Sequence, residues 1–136
     1  MITISVNGRI KNKKKVINYT LDILQELLPR VRRNVEVDIY IVNKCEHDHY
    51  ALCSGDKDGA EIELARGTKE TSFTIEEMML NLAHELVHAK QFIKGELHNS
   101  LSIWKKINYS KIPYSETPWE KEAYLLEDKL LNKHWK

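Results

Sequence analysis

A capped amphipathic helix at residues 74–94 constrains this sequence more than any other segment. Thr74 is followed three residues later by Glu77, the pattern of a capping box, and Gly95 follows as a C-terminal stop signal. Between these ends the apolar residues recur at helical spacing on one stripe, which comprises Ile75, Met78, Met79, Leu82, Leu86, Ala89 and Ile93. We therefore predict a helix that buries one face in the core.

The opposite, polar face of this helix carries His84, His88 and Gln91. Residues four apart lie one above the other on a helix, so both imidazoles can reach one ion at a Zn–N distance of about 2.0–2.1 Å. Glu85 is turned by about 100° from His84, where it can hold a metal-bound water and accept its proton. The HExxH motif is short, and its alternative interpretation is two solvated histidines on an amphipathic helix.

Composition and charge limit the class of protein. The 136 residues suit a single domain, Met1–Lys136, that can bury a core without disulfides, so Cys45 and Cys53 are expected to be reduced. A net charge of +1 makes nucleic acid an unlikely partner, and the basic clusters at residues 11–15 and 30–33 are typical of solvated helix ends. No signal peptide or apolar run of membrane length is visible, so we expect a cytoplasmic protein without a membrane partner.

The spacing of apolar residues predicts the other elements. Apolar and polar residues alternate strictly over residues 35–41, which predicts a strand. Over residues 16–31 the apolar residues recur every three or four positions, which predicts a helix that ends at Pro29. Other predicted elements are an edge strand at 2–6, a hairpin of 50–54 and 60–65, an extended piece after Gly95 and a final helix at 118–132. The predicted fold is α+β, with a small, mostly antiparallel sheet backed by an N-terminal helix, the HExxH helix and a C-terminal helix.

A loop rich in soft ligands precedes the hairpin. It contains Cys45, His47, His49 and Cys53 within nine residues, so a second zinc site has to be considered. The spacing lacks the paired C-x₂-C or H-x₃-H pattern of such sites. We therefore favour a small strand cysteine at position 53 and polar loop histidines.

A catalytic zinc site needs a third protein ligand in addition to the two histidines. The pattern HExxHxxGxxH requires a histidine at position 94, where this chain has Lys94, so a metzincin is excluded. Three downstream candidates remain, namely His98, Glu120 and Glu122.

The periodicity of the final helix separates the two glutamates. Its buried stripe is Trp119, Ala123, Leu126 and Leu130. Glu122 lies about 60° from Trp119, at the margin of that stripe, whereas Glu120 lies about 100° away on a face that is less clearly buried. A carboxylate at the margin of an apolar face needs a partner, and zinc is one such partner.

A family resemblance is visible in the second half of the chain. It is carried by residues 84–92 (HELVHAKQF), 95–97 (GEL) and 118–124 (PWEKEAY), together with Trp104, Tyr109 and Tyr114. They resemble small metallopeptidase-like proteins of tailed phages and bacteria, of the gluzincin type. The similar region is residues 74–131, and HELVHxxQ with PWExEA is much more specific than HExxH alone.

The resemblance implies a minimal zincin-like domain that binds Zn²⁺. Its expected ligands are His84, His88 and Glu122, and Glu85 is the expected general base. Larger gluzincins often have an acidic residue four positions after the third ligand, where this chain has Leu126. SprT-like proteins use a third histidine on a similar scaffold, which keeps His98 as an alternative.

The function expected from these residues is zinc-dependent hydrolysis of peptide bonds in a peptide or protein substrate. Tyr114 or Tyr109 is a candidate donor to the oxyanion, and residues 60–65 are expected to form the edge strand of the cleft. Two alternatives belong to other classes. One is a catalytically silent zincin-like or SprT-like domain that binds a partner or nucleoprotein, and the other is a zinc hydrolase of a non-peptide bond.

Overall fold

The computed structural model describes residues 1–98 and 103–136. That part of the chain forms an α+β fold with three α-helices and two sheets. In chain order the elements are β1 (Ile2–Asn7), α1 (Lys13–Leu27), β2 (Val35–Val42), β3 (Ala51–Asp56), β4 (Gly59–Ala65), α2 (Ile75–Ile93), β5 (Leu97–His98), β6 (Ile103–Trp104), β7 (Ile107–Asn108) and α3 (Pro118–His134). The strand predicted at 35–41, the hairpin and the three helices are confirmed.

The larger sheet is mixed, so the expectation of a mostly antiparallel sheet is wrong. Its strand order is β1-β2-β4-β3, in which β1 and β4 both pair in parallel with β2 and only β3 is antiparallel, to β4. Helix α1 connects β1 to β2 as a crossover, and a crossover returns the chain to the same end of the sheet. The strand predicted at residues 2–6 is confirmed at one edge of this sheet, and β3 forms the other edge.

The helices cover one face of this sheet. Alternate residues of β2, namely Val35, Val37, Ile39 and Ile41, are buried in one hydrophobic core with residues of α1, α2 and α3. The Tyr19 hydroxyl of α1 donates to the Met79 carbonyl of α2 at 2.8 Å. The three helices therefore share one core, and α2 is held at its centre.

Helix α2 begins and ends where the sequence predicts. The Thr74 hydroxyl accepts from the Glu77 amide at 3.1 Å, and the Glu77 carboxylate accepts from the Thr74 amide at 2.9 Å, which completes the predicted capping box. Gly95 has φ 75°, a left-handed conformation that glycine adopts without strain after a helix C-terminus. Both ends of the histidine helix are thus fixed locally.

The segment between α2 and α3 forms a small antiparallel sheet of three two-residue strands, in the order β5-β6-β7. Residues 99–102, including Leu101 of the predicted extended piece, lie outside the described residues. Buried side chains of this sheet and of both helices form a second apolar cluster, which comprises Phe92, Leu97, Trp104 and Trp119. This cluster joins the start of α3 to the end of α2.

Candidate metal centre

His84 and His88 of α2 face the beginning of α3. Their Nε2 atoms lie 3.3 Å apart, and the ring centroids are separated by 4.9 Å. His88 is buried, and the His84 side chain is 14% exposed. The two imidazoles therefore meet as the spacing of the motif predicts, in a site largely shielded from solvent.

Glu120 is the carboxylate that the structure brings to both imidazoles. Its Oε1 lies 3.0 Å from His84 Nε2, and its Oε2 lies 2.9 Å from His88 Nε2. Glu120 is only 2% exposed because the first turn of α3 packs against α2. Burial raises the pKa of the Glu120 carboxyl, but hydrogen bonds to His84 and His88 outweigh this effect and hold the pKa well below its ordinary value.

Glu122, which the sequence favoured, contacts different partners. Its Oε1 lies 2.7 Å from Lys90 Nζ and 2.9 Å from Gln91 Nε2. Two residues along a helix correspond to a rotation of about 200°, so the carboxylates at 120 and 122 point to different sides of α3. The largely buried Lys90 supplies a cationic partner for Glu122 that the sequence reasoning missed, although a lysine two residues after His88 was a signal for it.

His98, the other alternative, is an exposed residue of β5 and is not among the residues that line the cavity around the imidazoles. The structure therefore brings Glu120 alone of the three candidates to His84 and His88. Its side chain was harder to place from sequence because its burial depends on how α3 packs across α2.

The two imidazole nitrogens have the spacing of ligands to one metal ion, and the Glu120 oxygens lie at hydrogen-bond distance from them. Four ligands at about 2.0–2.1 Å in a tetrahedron are about 3.3–3.4 Å from one another. The two Nε2 atoms are 3.3 Å apart, and the Glu120 oxygens approach them to 2.9–3.0 Å. The ligand atoms of His84, Glu85 and His88 also lie within 4.8 Å of one another, so this group could hold a metal ion. Imidazole and carboxylate donors suit zinc and other first-row metals.

Glu85 lies beside the imidazoles but has a different environment from Glu120. It is 8% exposed and lines the same cavity. Burial raises the pKa of the Glu85 carboxyl, although the neighbouring His88 and His84 partly oppose this effect. A carboxylate with a raised pKa is a better proton acceptor near neutral pH than an ordinary glutamate.

The Nδ1 atoms of His84 and His88 have different partners. His88 Nδ1 lies 2.8 Å from the Gln91 side-chain oxygen, whereas His84 Nδ1 lies 3.8 Å from a Glu127 oxygen. The His84 ring also stands edge-on to Tyr124, with centroids 4.7 Å apart. Sequence reasoning placed Gln91 on the polar face without giving it a role, and it did not predict that Tyr124 and Glu127 contact His84.

A cavity of about 820 Å³ opens in front of these residues. It is lined by Asp48, His49, Tyr50, Ala51, Leu52, Cys53, Leu80, Asn81, His84, Glu85, His88, Phe92, Leu97, Tyr114, Trp119, Glu120, Tyr124 and Glu127. Strand β3 forms one wall, and its outer edge has no partner among the described strands. The expectation that residues 60–65 form the edge of the cleft is wrong, because β4 lies between β2 and β3 and both of its edges are paired.

The two tyrosines proposed as oxyanion donors occupy different places. Tyr114 lines the cavity on the side where Glu120 lies. Tyr109 instead packs edge-on against Trp119, with ring centroids 6.0 Å apart. Only Tyr114 is therefore positioned to contact a bound molecule.

The cysteine and histidine loop does not converge on one point. Among the described residues, no group of three or more close ligand atoms includes Cys45, His47, His49 or Cys53. The Cys45 thiol donates to the Glu63 carbonyl at 3.9 Å, and burial raises the pKa of this thiol to about 11. The loop thus shows no second metal site of this kind, and Cys45 has the environment of a packed thiol.

The basic cluster at residues 11–15 lies at the start of α1. Lys11, Lys13 and Lys14 are exposed, and Lys15 Nζ lies 4.0 Å above the Trp135 ring. These positions fit the expected solvated helix end. In the part of the chain that the structure describes, no helix has the length and apolar character needed to cross a membrane.

No family model, curated protein or solved structure matches this chain. The gluzincin resemblance of residues 84–92 and 118–124 therefore stays an expectation.

Proposed function

We propose that this protein is a zinc-dependent peptide-bond hydrolase in which His84, His88 and Glu120 hold the metal and Glu85 is the general base. The observation that carries this proposal is the convergence of both Nε2 atoms on the Glu120 carboxylate, beside Glu85 and at the base of an open cavity. This assignment retains the type of ligand set that the family resemblance implies, but it replaces Glu122 with Glu120.

The three ligand residues have complementary roles. The histidines supply neutral nitrogen donors, and Glu120 supplies a negative charge that offsets part of the charge of a divalent cation. An ion bound by these groups would acidify a water molecule and polarise the carbonyl of the scissile bond. The cavity in front of the ligands leaves room for both water and substrate.

Glu85 handles the proton in this mechanism. Its carboxylate accepts a proton from the attacking water and then donates it to the nitrogen of the leaving amine. Burial, which raises its pKa, favours both transfers because the group is then basic enough to accept the proton and acidic enough to release it. The Tyr114 hydroxyl, which lines the same cavity, is the candidate donor of a hydrogen bond to the developing oxyanion.

Strand β3 suggests how an extended substrate is held. Its inner edge pairs with β4, and its residues 51–53 line the cavity beside the imidazoles. A peptide aligned along the free outer edge would form main-chain hydrogen bonds like those of an added strand. This mode of binding favours a peptide or protein segment over a compact small molecule.

Metal content and hydrolysis measured on the same samples test the proposal. Purified protein reconstituted with zinc should hold one ion per chain, and His88→Ala and Glu120→Ala should hold much less. Wild-type protein should cleave a mixed peptide library, whereas Glu85→Gln should bind zinc without cleaving. Wild-type protein that holds well under one zinc after reconstitution would contradict the proposal.

The two alternatives predict different outcomes of this experiment. A catalytically silent domain that binds a partner or nucleoprotein should bind zinc but cleave no peptide in the library. A zinc hydrolase of another bond should also leave peptides intact, but should cleave ester, amide or phosphoester probes in a manner that depends on Glu85. The peptide panel and the probe panel together therefore separate the three functions.

A further inference from the structure

Gln91 is a buried polar residue that contacts a proposed metal ligand. It lies on α2 three residues after His88, is fully buried and places its side-chain oxygen 2.8 Å from His88 Nδ1. A buried amide has to direct each of its donors and acceptors to a suitable partner. The orientation of Gln91 therefore determines which hydrogen-bonding role His88 can take.

Two other partners determine which way the Gln91 amide points. Its nitrogen lies 3.0 Å from the Trp119 carbonyl and 2.9 Å from Glu122 Oε1. A carbonyl and a carboxylate only accept hydrogen bonds, so the NH₂ group has to face them and the oxygen has to face His88. His88 Nδ1 therefore carries a hydrogen and donates it to Gln91, so Nε2, whose own hydrogen faces Glu120 Oε2 at 2.9 Å, is the nitrogen that can offer a lone pair to a metal ion.

Lys90 holds Glu122 in its role as acceptor. Its ammonium lies 2.7 Å from Glu122 Oε1 and 2.9 Å from Glu96 Oε1, and Lys90 is only 6% exposed. An ammonium group has donors only, so the oxygen that faces both Lys90 and Gln91 has to accept from both. A continuous chain of hydrogen bonds thus runs from Lys90 through Glu122 and Gln91 to His88.

We propose that Gln91, oriented by Glu122, is a positioning residue that keeps His88 in the tautomer with hydrogen on Nδ1 and the lone pair of Nε2 directed at the metal position. The inference rests on the proposed function, in which His88 Nε2 is a ligand. It also gives Glu122 a role in the site without direct coordination. A residue that merely filled space at position 91 would leave Glu120, 2.9 Å from Nε2, to favour the tautomer with hydrogen on Nε2.

The hydrogen on Nδ1 can be detected in metal-free protein by ¹⁵N NMR of the histidine side chains at neutral pH. We expect Nδ1 of His88 to carry a hydrogen in the wild type, and Gln91→Leu to move His88 towards the tautomer with hydrogen only on Nε2, which donates to Glu120. His84, which has no contact with Gln91 among its hydrogen bonds, is an internal control in each spectrum. Gln25→Leu, an exposed position on α1, is the matched control substitution.

Zinc affinity of the same variants provides the second readout. Groups that orient a metal-ligating histidine typically contribute about 10–100-fold in affinity, so Gln91→Leu should bind zinc that much more weakly and Gln25→Leu should bind it unchanged. Unaltered His88 tautomer or affinity within twofold of wild type in Gln91→Leu would overturn the proposal. If wild-type protein binds no zinc, the proposed function fails, whereas the tautomer measurement still tests Gln91.

Glu122→Ala provides an independent variant if Gln91→Leu does not fold. The Glu122 side chain is 30% exposed, so its truncation disturbs the core little. The substitution removes one of the two acceptors that the Gln91 amide nitrogen faces, so the orientation of Gln91 is less fixed. We expect a smaller population of the Nδ1–H form of His88 and weaker zinc binding, and a folded Glu122→Ala protein with wild-type values of both would overturn the proposal.

Discussion

Glu120 and Glu122 show how two identical side chains on one helix acquire different chemistry. Glu120 lies between two imidazoles and is almost fully buried, whereas Glu122 lies between an ammonium and an amide. For both groups burial raises the pKa and hydrogen bonds lower it more, so both have pKa values below the ordinary range. Their partners, and not their intrinsic acidity, determine their roles.

This difference predicts which of two substitutions, at Glu120 or at Glu122, weakens zinc binding more. Glu120→Ala removes a ligand oxygen, so we expect a loss of zinc affinity larger than the 10–100-fold typical of groups that only orient a ligand. Glu122→Ala leaves all three ligands in place and should lose affinity only within that range. Competition with a chelating dye measures both values. The opposite rank would return Glu122 to the ligand set that the family resemblance implies.

A second prediction at this scale concerns Glu85. Replacement by Gln keeps the shape of the side chain but removes the proton acceptor, so kcat for peptide cleavage should fall by about 10²–10⁴-fold. Zinc content should stay at the wild-type value because the proposed ligands are His84, His88 and Glu120. Parallel kinetics and elemental analysis check both statements. Retained turnover would remove Glu85 from the mechanism.

At the scale of elements, local signals in the sequence were sufficient for α2 and for the β3–β4 hairpin. The capping box, the helical period and the turn residues are all encoded within a few positions. Strand direction was mispredicted, because apolar alternation is the same in parallel and antiparallel strands. The third carboxylate was misplaced for a related reason, since a helical wheel gives angles within α3 but not the side of α3 that packs on α2.

The capping box of α2 predicts a measurable contribution to stability. Thr74→Ala removes the hydroxyl that accepts from the Glu77 amide, and the loss of such a cap costs about 1 kcal/mol in the free energy of unfolding. Urea denaturation followed by circular dichroism measures this difference. Ser72→Ala, an exposed position just before the helix, is the control and should change the free energy little.

At the scale of the whole molecule, the candidate metal centre joins two helices that the core already packs together. His84 and His88 belong to α2, and Glu120 belongs to α3, so a bound ion would contact both. Unfolding would separate these groups and release a bound ion. The proposed metal binding would therefore be linked to the stability of the fold.

This linkage predicts that zinc stabilises the protein. With free zinc at 100 times its Kd, the free energy of unfolding should increase by about 2.7 kcal/mol. Calorimetry should show a higher Tm with zinc and a return to the metal-free value after chelation. His88→Ala should show no such response. An unchanged Tm in wild-type protein that has been shown to bind zinc would contradict the link between the site and the fold.

The division of the site between two helices also affects its formation during synthesis. His84 and Glu120 are separated by 36 positions, and the small β5–β7 sheet lies between them. A nascent chain on the ribosome therefore exposes both histidines before the carboxylate has been added. If Glu85 is the base and Glu120 the third ligand, as proposed, hydrolytic activity would begin only after translation has passed α3.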